Sequence, residues 1–260
     1  MINIKKLFKY VGLTSLFFMS FYYTEKVALY VKNKNPIMQE INNNKDSLVV
    51  NSIDSELIDT LYIIPGLNGK EVDINKSFSN MIKLETYDEN NIIYTQIKPN
   101  ISLENNKNRI IVRGNSKKRS ISIVFEEESD LSKYLVKKGY RPNILISNQK
   151  YYKDYEMINN SNNEKEYKSI DKYLSKSKLN KNLCYVKENI PSLCENKYLF
   201  KTSLTINHSN ISSVIKHISS GEIILIQNTL TLAELEVLLN QIKYQNLDIV
   251  PLSKLISEYN

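Results

Sequence analysis

The sequence predicts an α/β fold, and three observations carry that prediction. Short apolar runs alternate with helical patterns from about residue 115 to the C-terminus, the arrangement that builds a parallel sheet, open or closed. Several of the runs, such as Ile121–Phe125 and Ile223–Ile226, are rich in Ile, Val, Leu and Phe. Helix start and stop signals lie between them: Ser129 as a cap with Gly139 as a stop, and Thr231-Leu-Ala-Glu234 as a capping box. In folds of this kind the chemistry sits at the carboxyl ends of the strands.

At the N-terminus, lysines precede an apolar stretch from Val11 to Tyr23. Counted from Leu7 the run has 17 residues, the short end for a membrane-crossing helix. Phe21-Tyr22-Tyr23-Thr24 offers no small residues for signal cleavage. Residues 1–23 are therefore expected to form a cytoplasmic stub and signal-anchor helix, with the main domains outside the cytoplasm. Residues 24–46, polar and rich in Asn and Lys, read as a linker.

Residues 47–113 read as a small α+β domain. Leu48–Val50, Leu61–Ile64 and Asn91–Ile97 are strand candidates, and Asp73 can cap a helix with Ile74, Phe78, Met81 and Ile82 on one face. Gly66-Leu67-Asn68-Gly69-Lys70 has the wrong spacing for a phosphate loop, and Glu71 would repel phosphate, so it reads as a turn.

From residue 115 to 260 the strand candidates are Ser120–Glu126, Asn143–Ser147, Leu183–Val186, Tyr198–Thr202, Gly221–Gln227 and Leu247–Val250. Helical patterns follow Ser129, fall within 150–177 around a polar loop at 159–163, and recur at Ile211–Ile218, Leu232–Ile242 and Leu252–Ile256.

Composition narrows the functions. The chain has 260 residues, 42% hydrophobic and 24% charged, which excludes a wholly disordered chain. Two cysteines and two histidines exclude a disulfide scaffold, a four-cysteine zinc site and any His-rich metal site. Cys184 and Cys194 read as ordinary buried cysteines, although a disulfide is permitted outside the cytoplasm. The net charge is +7, but residues 1–34 hold six lysines against Glu25, so the body is nearly neutral and nucleic acid is discounted as a partner.

The one carboxylate cluster at a strand end is Glu126-Glu127-Glu128. Three acids there could bind a divalent metal or supply a base; composition alone favours a solvated loop beside a helix N-terminus. Val124-Phe125-Glu126-Glu127-Glu128-Ser129 resembles the Thr-Phe-Asp-Asp-Gly-Pro motif of the polysaccharide deacetylase (NodB-homology) family. The stretch from Gly221 through Gln227 and Asn228 to Ile256 resembles that family's closing strand, helix and Leu-Ser-x-Leu turn, and Pro65–Asp73 looks like a segment that precedes such domains in membrane-anchored bacterial proteins. The resemblance covers 115–258 and implies a deformed (β/α) barrel of the polysaccharide deacetylase type, preceded by the N-terminal membrane helix and the small α+β domain.

The family hydrolyses N-acetyl groups on sugars with a metal held by one Asp and two His. By position Glu126 would replace the base, Glu127 the metal-ligating Asp and Gln227 the late catalytic His. Each Glu is a methylene too long, and Gln227 has no proton to give at neutral pH. There is no His from Asn148 to Ser203, and His208 and His217, nine apart, would face opposite sides of a helix. The family's central Arg-Pro-Pro motif is also missing; Arg141-Pro142 is at the second strand. A site of Glu126, Glu127 and Glu128 alone would be an oxygen site for a hard ion, not zinc. The expectation is a degenerate deacetylase domain with no catalytic residue, metal or cofactor. It would bind cell-wall glycan or an envelope protein through Glu126, Glu127, Glu128, Gln227 and Asn228. An active N-deacetylase with a rebuilt carboxylate site and an envelope scaffold acting through the small domain are the alternatives.

Overall fold

The computed structural model describes residues 4–188 and 190–259. In chain order its elements are α1 (Ile4–Lys34), α2 (Pro36–Asn44), β1 (Glu56–Ile58), β2 (Tyr62–Ile64), β3 (Gly69–Val72), α3 (Ile74–Met81), β4 (Tyr94–Ile97), β5 (Ile110–Ile111), β6 (Ser120–Phe125), α4 (Asp130–Lys137), β7 (Asn143–Ile146), β8 (Glu156–Asn159), α5 (Glu164–Lys176), β9 (Leu183–Tyr185), β10 (Tyr198–Phe200), β11 (Leu204–Ile206), α6 (Ile211–Val214), β12 (Ile223–Ile226), α7 (Leu232–Tyr244), β13 (Asp248–Ile249) and α8 (Leu252–Ile256).

Two compact units result, one of residues 1–51 and 69–97, the other of 52–68 and 98–260. The contacts thus divide the chain at other points than the expected 47–113 and 115–260. Main-chain pairing is the reason: β2 is antiparallel to β1 and parallel to β5, and β5 is parallel to β10, so these three early strands belong to the larger sheet system.

In the smaller unit β3 and β4 form an antiparallel pair, Gly69 opposite Ile97 through Val72 opposite Tyr94. Asp73 caps α3 by accepting from the Lys76 amide at 3.0 Å, as its sequence position requires. The stretch expected as a linker is largely helical. Pro36 stands at the start of α2 behind an Asn35 cap, and Ile37 and Ile41 are buried with Val72, Met81 and Ile92. Leu48–Val50 is not a strand: Leu48 ends a 3₁₀ helix, Lys45–Leu48, Val49 is extended, and Val50 makes a single bridge to Lys70. Among the described residues no helix is long and apolar enough to cross a membrane. In α1 length is ample, but Thr14, Ser15, Ser20 and Thr24 dilute the apolar run. Met1–Asn3 of the expected stub lie outside the described residues.

The larger unit holds two sheets. One has the order β1-β2-β5-β10-β9; the other has β11-β12-β6-β7-β8, with β13 on β6. Apart from β1–β2, every one of these pairings is parallel. β13 takes the first half of one β6 edge, at Ser120 and Ile121, and β7 pairs with β6 at Val124 and Phe125. All six residues of β6 are buried. Val124 packs with Phe200, Ile111, Leu183 and Leu225 from both sheets, whereas Ile121, Ile123 and Phe125 pack with Leu235 and Leu238 of α7. Burial on both faces is why the strand reads as a continuous apolar run. Asn143, fully buried, ties the layers: its Nδ2 donates to Ser122 Oγ at 2.9 Å and the Ile123 carbonyl at 2.7 Å, and its Oδ1 accepts from the Leu252 amide at 2.9 Å.

The expected Thr231–Glu234 capping box forms, and the Ser129 cap also proves to be a box, closed by Ser132. The α7 pattern puts Leu232, Leu235, Leu239 and Ile242 on one face; Leu235 and Ile242 are buried with Leu238, Leu239 is half-buried and Leu232 is exposed. The segment 65–68 is extended, not a turn: Leu67 bridges Ile53 in both directions at 2.8 Å, and a Cβ on Gly66 would lie 2.2 Å from the Ile53 carbonyl oxygen. Cys184 of β9 and Cys194 form a disulfide, with Cα atoms 5.8 Å apart, in place of the two unpaired cysteines expected. The chain leaves β9 and returns to β10 beside it, which brings the two thiols together.

Candidate functional site

Parallel register places the carboxyl ends of three strands level with one another. Phe125 stands opposite Ile226, and Ile226 opposite Ile206. The residues that follow, Glu126, Gln227 and Asn207, are therefore neighbours at one mouth. Asn207 Nδ2 donates to Gln227 Oε1 at 3.1 Å. Asn207 is held in turn by its own loop, its Oδ1 accepting from the Ser209 amide at 3.0 Å and hydroxyl at 2.7 Å.

Each of the three acids has a partner. Glu126 pairs with Lys187 at 3.1 Å, Glu128 with Lys150 at 3.2 Å, and Glu127 accepts from Asn228 Nδ2 at 2.8 Å. The two ion pairs are exposed to different degrees. Glu126 and Lys187 are each at least half exposed, so their pair contributes little to stability; Glu128 is more enclosed. The ammonium of Lys150 is held above its usual range by the hydrogen bond to Glu128 and by Tyr152. The expected binding residues Glu126, Glu127, Glu128, Gln227 and Asn228 thus cluster, but through paired contacts rather than around one centre.

Sequence reasoning missed Lys150, Lys187 and Asn207. Lys187 is 61 residues from Glu126, and nothing local announces that pairing. Asn207 carried a weak signal, an amide directly after the alternating run Leu204-Thr205-Ile206.

The donor set does not fit the metal that the deacetylase resemblance implies. Among the described residues no group of three or more His, Cys, Asp or Glu side chains is arranged to hold a metal ion. His208 lies after β11, but its Nδ1 meets Glu234 Oε1 at 2.7 Å, on the first turn of α7. The Glu234 carboxyl is held below its usual range, first by the Thr231 amide and hydroxyl and then by His208. His217 sits in an exposed 3₁₀ turn. Among the described residues, the nitrogens that meet the acids of the mouth are ammonium and amide groups, which donate hydrogen bonds and have no lone pair available to a metal.

A cavity of about 320 Å³ opens beside the mouth, at the carboxyl ends of β8 and β9. Asn160, Ser161, Asn162, Tyr185 and Lys187 line it, and the Cys184–Cys194 disulfide forms part of its wall. Lys187 therefore belongs both to the cavity and to the Glu126 pair. Behind the wall, Tyr167 is buried, its phenol pushed above its usual range by that burial and by Asp171, and its hydroxyl lies 3.6 Å from Cys194 Sγ. The Lys197 ammonium lies 2.5 Å from Asp171 and over the Tyr167 ring at 4.4 Å; burial lowers its pKa, and Asp171 opposes that. This network steadies the wall.

No family model matches the sequence. The uncharacterized protein YlxY of Bacillus subtilis (strain 168) is 26% identical over 92 residues, 35% of this chain. The matched part spans 29% of YlxY. Among solved structures, wild-type BA3943 of Bacillus anthracis, described as a CE4 family pseudoenzyme, superposes with a TM-score of 0.56 at 14% identity, covering 86% of this chain and 96% of that one. A BA3943 mutant described as having restored enzymatic activity gives 0.55 at 14% identity, over 86% and 99% of the two chains. The likeness is one of fold: the larger architecture resembles the CE4 polysaccharide deacetylase domain.

Proposed function

We propose that this chain is a catalytically silent protein of the CE4 fold that binds envelope glycan at the carboxyl-end mouth and its adjoining cavity. One observation carries the reading. The acids standing where the deacetylase motif has its base and metal ligand are already neutralised or hydrogen-bonded by this chain's own side chains, Lys187 on Glu126 and Asn228 on Glu127. Either side chain would have to be displaced before its carboxylate could take a proton from water or hold an ion. No step through a metal is derived, because the donors do not fit one. A CE4-type fold without catalysis has a precedent in BA3943, described as a pseudoenzyme. The cavity adds amides, a hydroxyl and a tyrosine, groups suited to sugar hydroxyls and ring faces.

The test measures acetate release from chitooligosaccharides and peptidoglycan fragments, with and without added zinc, beside co-sedimentation with insoluble peptidoglycan. Binding without turnover is expected, weakened in Lys187→Ala/Asn162→Ala. Acetate release that disappears in Glu127→Ala would overturn the reading, and so would a failure to bind glycan at all.

A membrane tether is part of the same proposal. Side chains from Tyr10 to Val31 on α1 are exposed, including Phe17, Phe18, Phe21, Tyr22 and Tyr23, and Lys5, Lys6 and Lys9 precede them in sequence. Such a helix is suited to a lipid surface carrying anionic headgroups. Flotation with vesicles containing anionic lipid is expected for the full chain and not for a chain lacking residues 1–34; equal behaviour of the two would remove the tether.

A further inference from the structure

A second cavity, of about 350 Å³, lies in the larger unit at the other ends of the strands. Leu183 and Tyr198 are the first residues of β9 and β10, are paired in register, and both line it. It is therefore an amino-end cavity, whereas Lys187 and the mouth follow the carboxyl ends. Its volume falls at the lower end of the about 300–1,000 Å³ usual for small-molecule sites.

Its lining is polar, with one ammonium, two carboxylates and two tyrosines. The Asn182 side-chain amide and the hydroxyls of Tyr198, Ser253 and Tyr259 make no hydrogen bond to protein among the described residues, although all four residues line the cavity. Its one ammonium is paired, and its second carboxylate is held by uncharged donors. Lys98 pairs with Glu104 at 3.2 Å, and the Glu258 carboxylate accepts from Ser55 Oγ at 3.0 Å and the Leu103 amide at 2.7 Å. No net positive charge is left to select an anion such as phosphate, and a lining so polar is unsuited to a purely apolar ligand. Tyr198 is partly buried, and that burial is the main reason its phenol is held above its usual range.

From this placement we infer that the amino-end cavity is a binding site for a neutral, polyhydroxylated ligand one or two sugar rings long. Amide and hydroxyl groups pair with the ligand's hydroxyls, and the exposed ring of Tyr259 takes its apolar ring face. The site is independent of the mouth and needs no part of the deacetylase-like machinery.

The experiment titrates the full chain with chitotriose and with maltotriose by calorimetry and saturation-transfer NMR, with inorganic phosphate as the charged control. Asn182 and Tyr259 are exposed, so Asn182→Arg/Tyr259→Ala keeps the fold, which a thermal melt verifies. At least one trisaccharide is expected to bind at the amino end, about tenfold or more weaker in that variant; Glu126→Ala/Glu127→Ala, which acts at the mouth, removes at most a separate mouth event and keeps the amino-end one. Binding lost only in the glutamate variant would place the ligand at the mouth and overturn the inference. Binding of neither trisaccharide, equal binding by all variants, or a preference for phosphate would overturn it too.

Discussion

Asn228 Nδ2 donates to Glu127 Oε1 across 2.8 Å, joining the segments that follow β12 and β6. The amide gives this carboxylate a hydrogen-bond donor from the chain itself. Replacing it by Asn228→Asp sets two carboxylates side by side at neutral pH. The expected cost is on the order of 1 kcal/mol, because both groups are exposed and screened. The cost should shrink below the carboxylate range, where a shared proton restores the hydrogen bond, and in high salt. Urea unfolding of wild type and variant at pH 7 and pH 4 reads the difference; a gap that does not close on acidification would show that the two side chains do not face each other.

Lys118 gives a pH dependence of opposite sense. Its Nζ donates to the Lys254 carbonyl at 2.8 Å and to the Ser257 carbonyl, around the end of α8. Burial, aided by Lys254, pushes its ammonium from the usual 10.5 down to about 8. The folded value lies below the unfolded one, so between them the unfolded chain holds more protons and stability rises with pH. Relative to Lys118→Met, wild type should gain on the order of 1–2 kcal/mol from pH 8 to 10.5. Parallel stability profiles for the two proteins over that window would contradict it.

Gly221 and Gly114 form a close contact in the backbone. Gly221 has φ +93°, its carbonyl accepts from the Gly114 amide at 2.7 Å, and a Cβ on it would lie 2.3 Å from the Gly114 oxygen. Gly139 has a similar φ of +88° but open space around it. Gly221→Ala is therefore expected to cost about 2 kcal/mol or more, and Gly139→Ala about 1 kcal/mol. Thermal melts that rank the two the other way would rule out the contact.

The Cys184–Cys194 disulfide closes a short loop carrying Lys187 and one wall of the carboxyl-end cavity. Cys184→Ala/Cys194→Ala should lower stability by about 2–3 kcal/mol through the loop entropy it restores to the unfolded chain. The unfolded, unreduced protein should show no free thiol and the reduced protein two. A thiol titre of two before reduction would remove the bridge.

Local signals were legible in the residues that carry them. Ser129, Asp73 and Thr231 cap their helices because a side-chain oxygen satisfies an amide within three residues. β6, β7 and β12 announced themselves because parallel strands buried on both faces are apolar throughout. Weak strands stayed hidden. Glu156-Met-Ile-Asn159 was read within a helical region and Leu204-Thr-Ile206 was overlooked, because neighbours stabilise these strands more than their own composition does. α2 looked like linker because its two Ile and one Met sit among Asn and Gln, and only packing against Met81 and Ile92 reveals its buried face.

The α/β class, the caps, the acids at the end of β6 and the lack of a closely spaced histidine pair follow from residue type and near-neighbour spacing. Tertiary structure alone decided that β1, β2 and β5 join the larger sheet system, that Cys184 meets Cys194, and that Lys187 and Asn228 occupy the carboxylates of Glu126 and Glu127. Those contacts bring together chain segments ten to about a hundred residues apart, and such distances are closed only when sheet register and core packing fix where each strand ends.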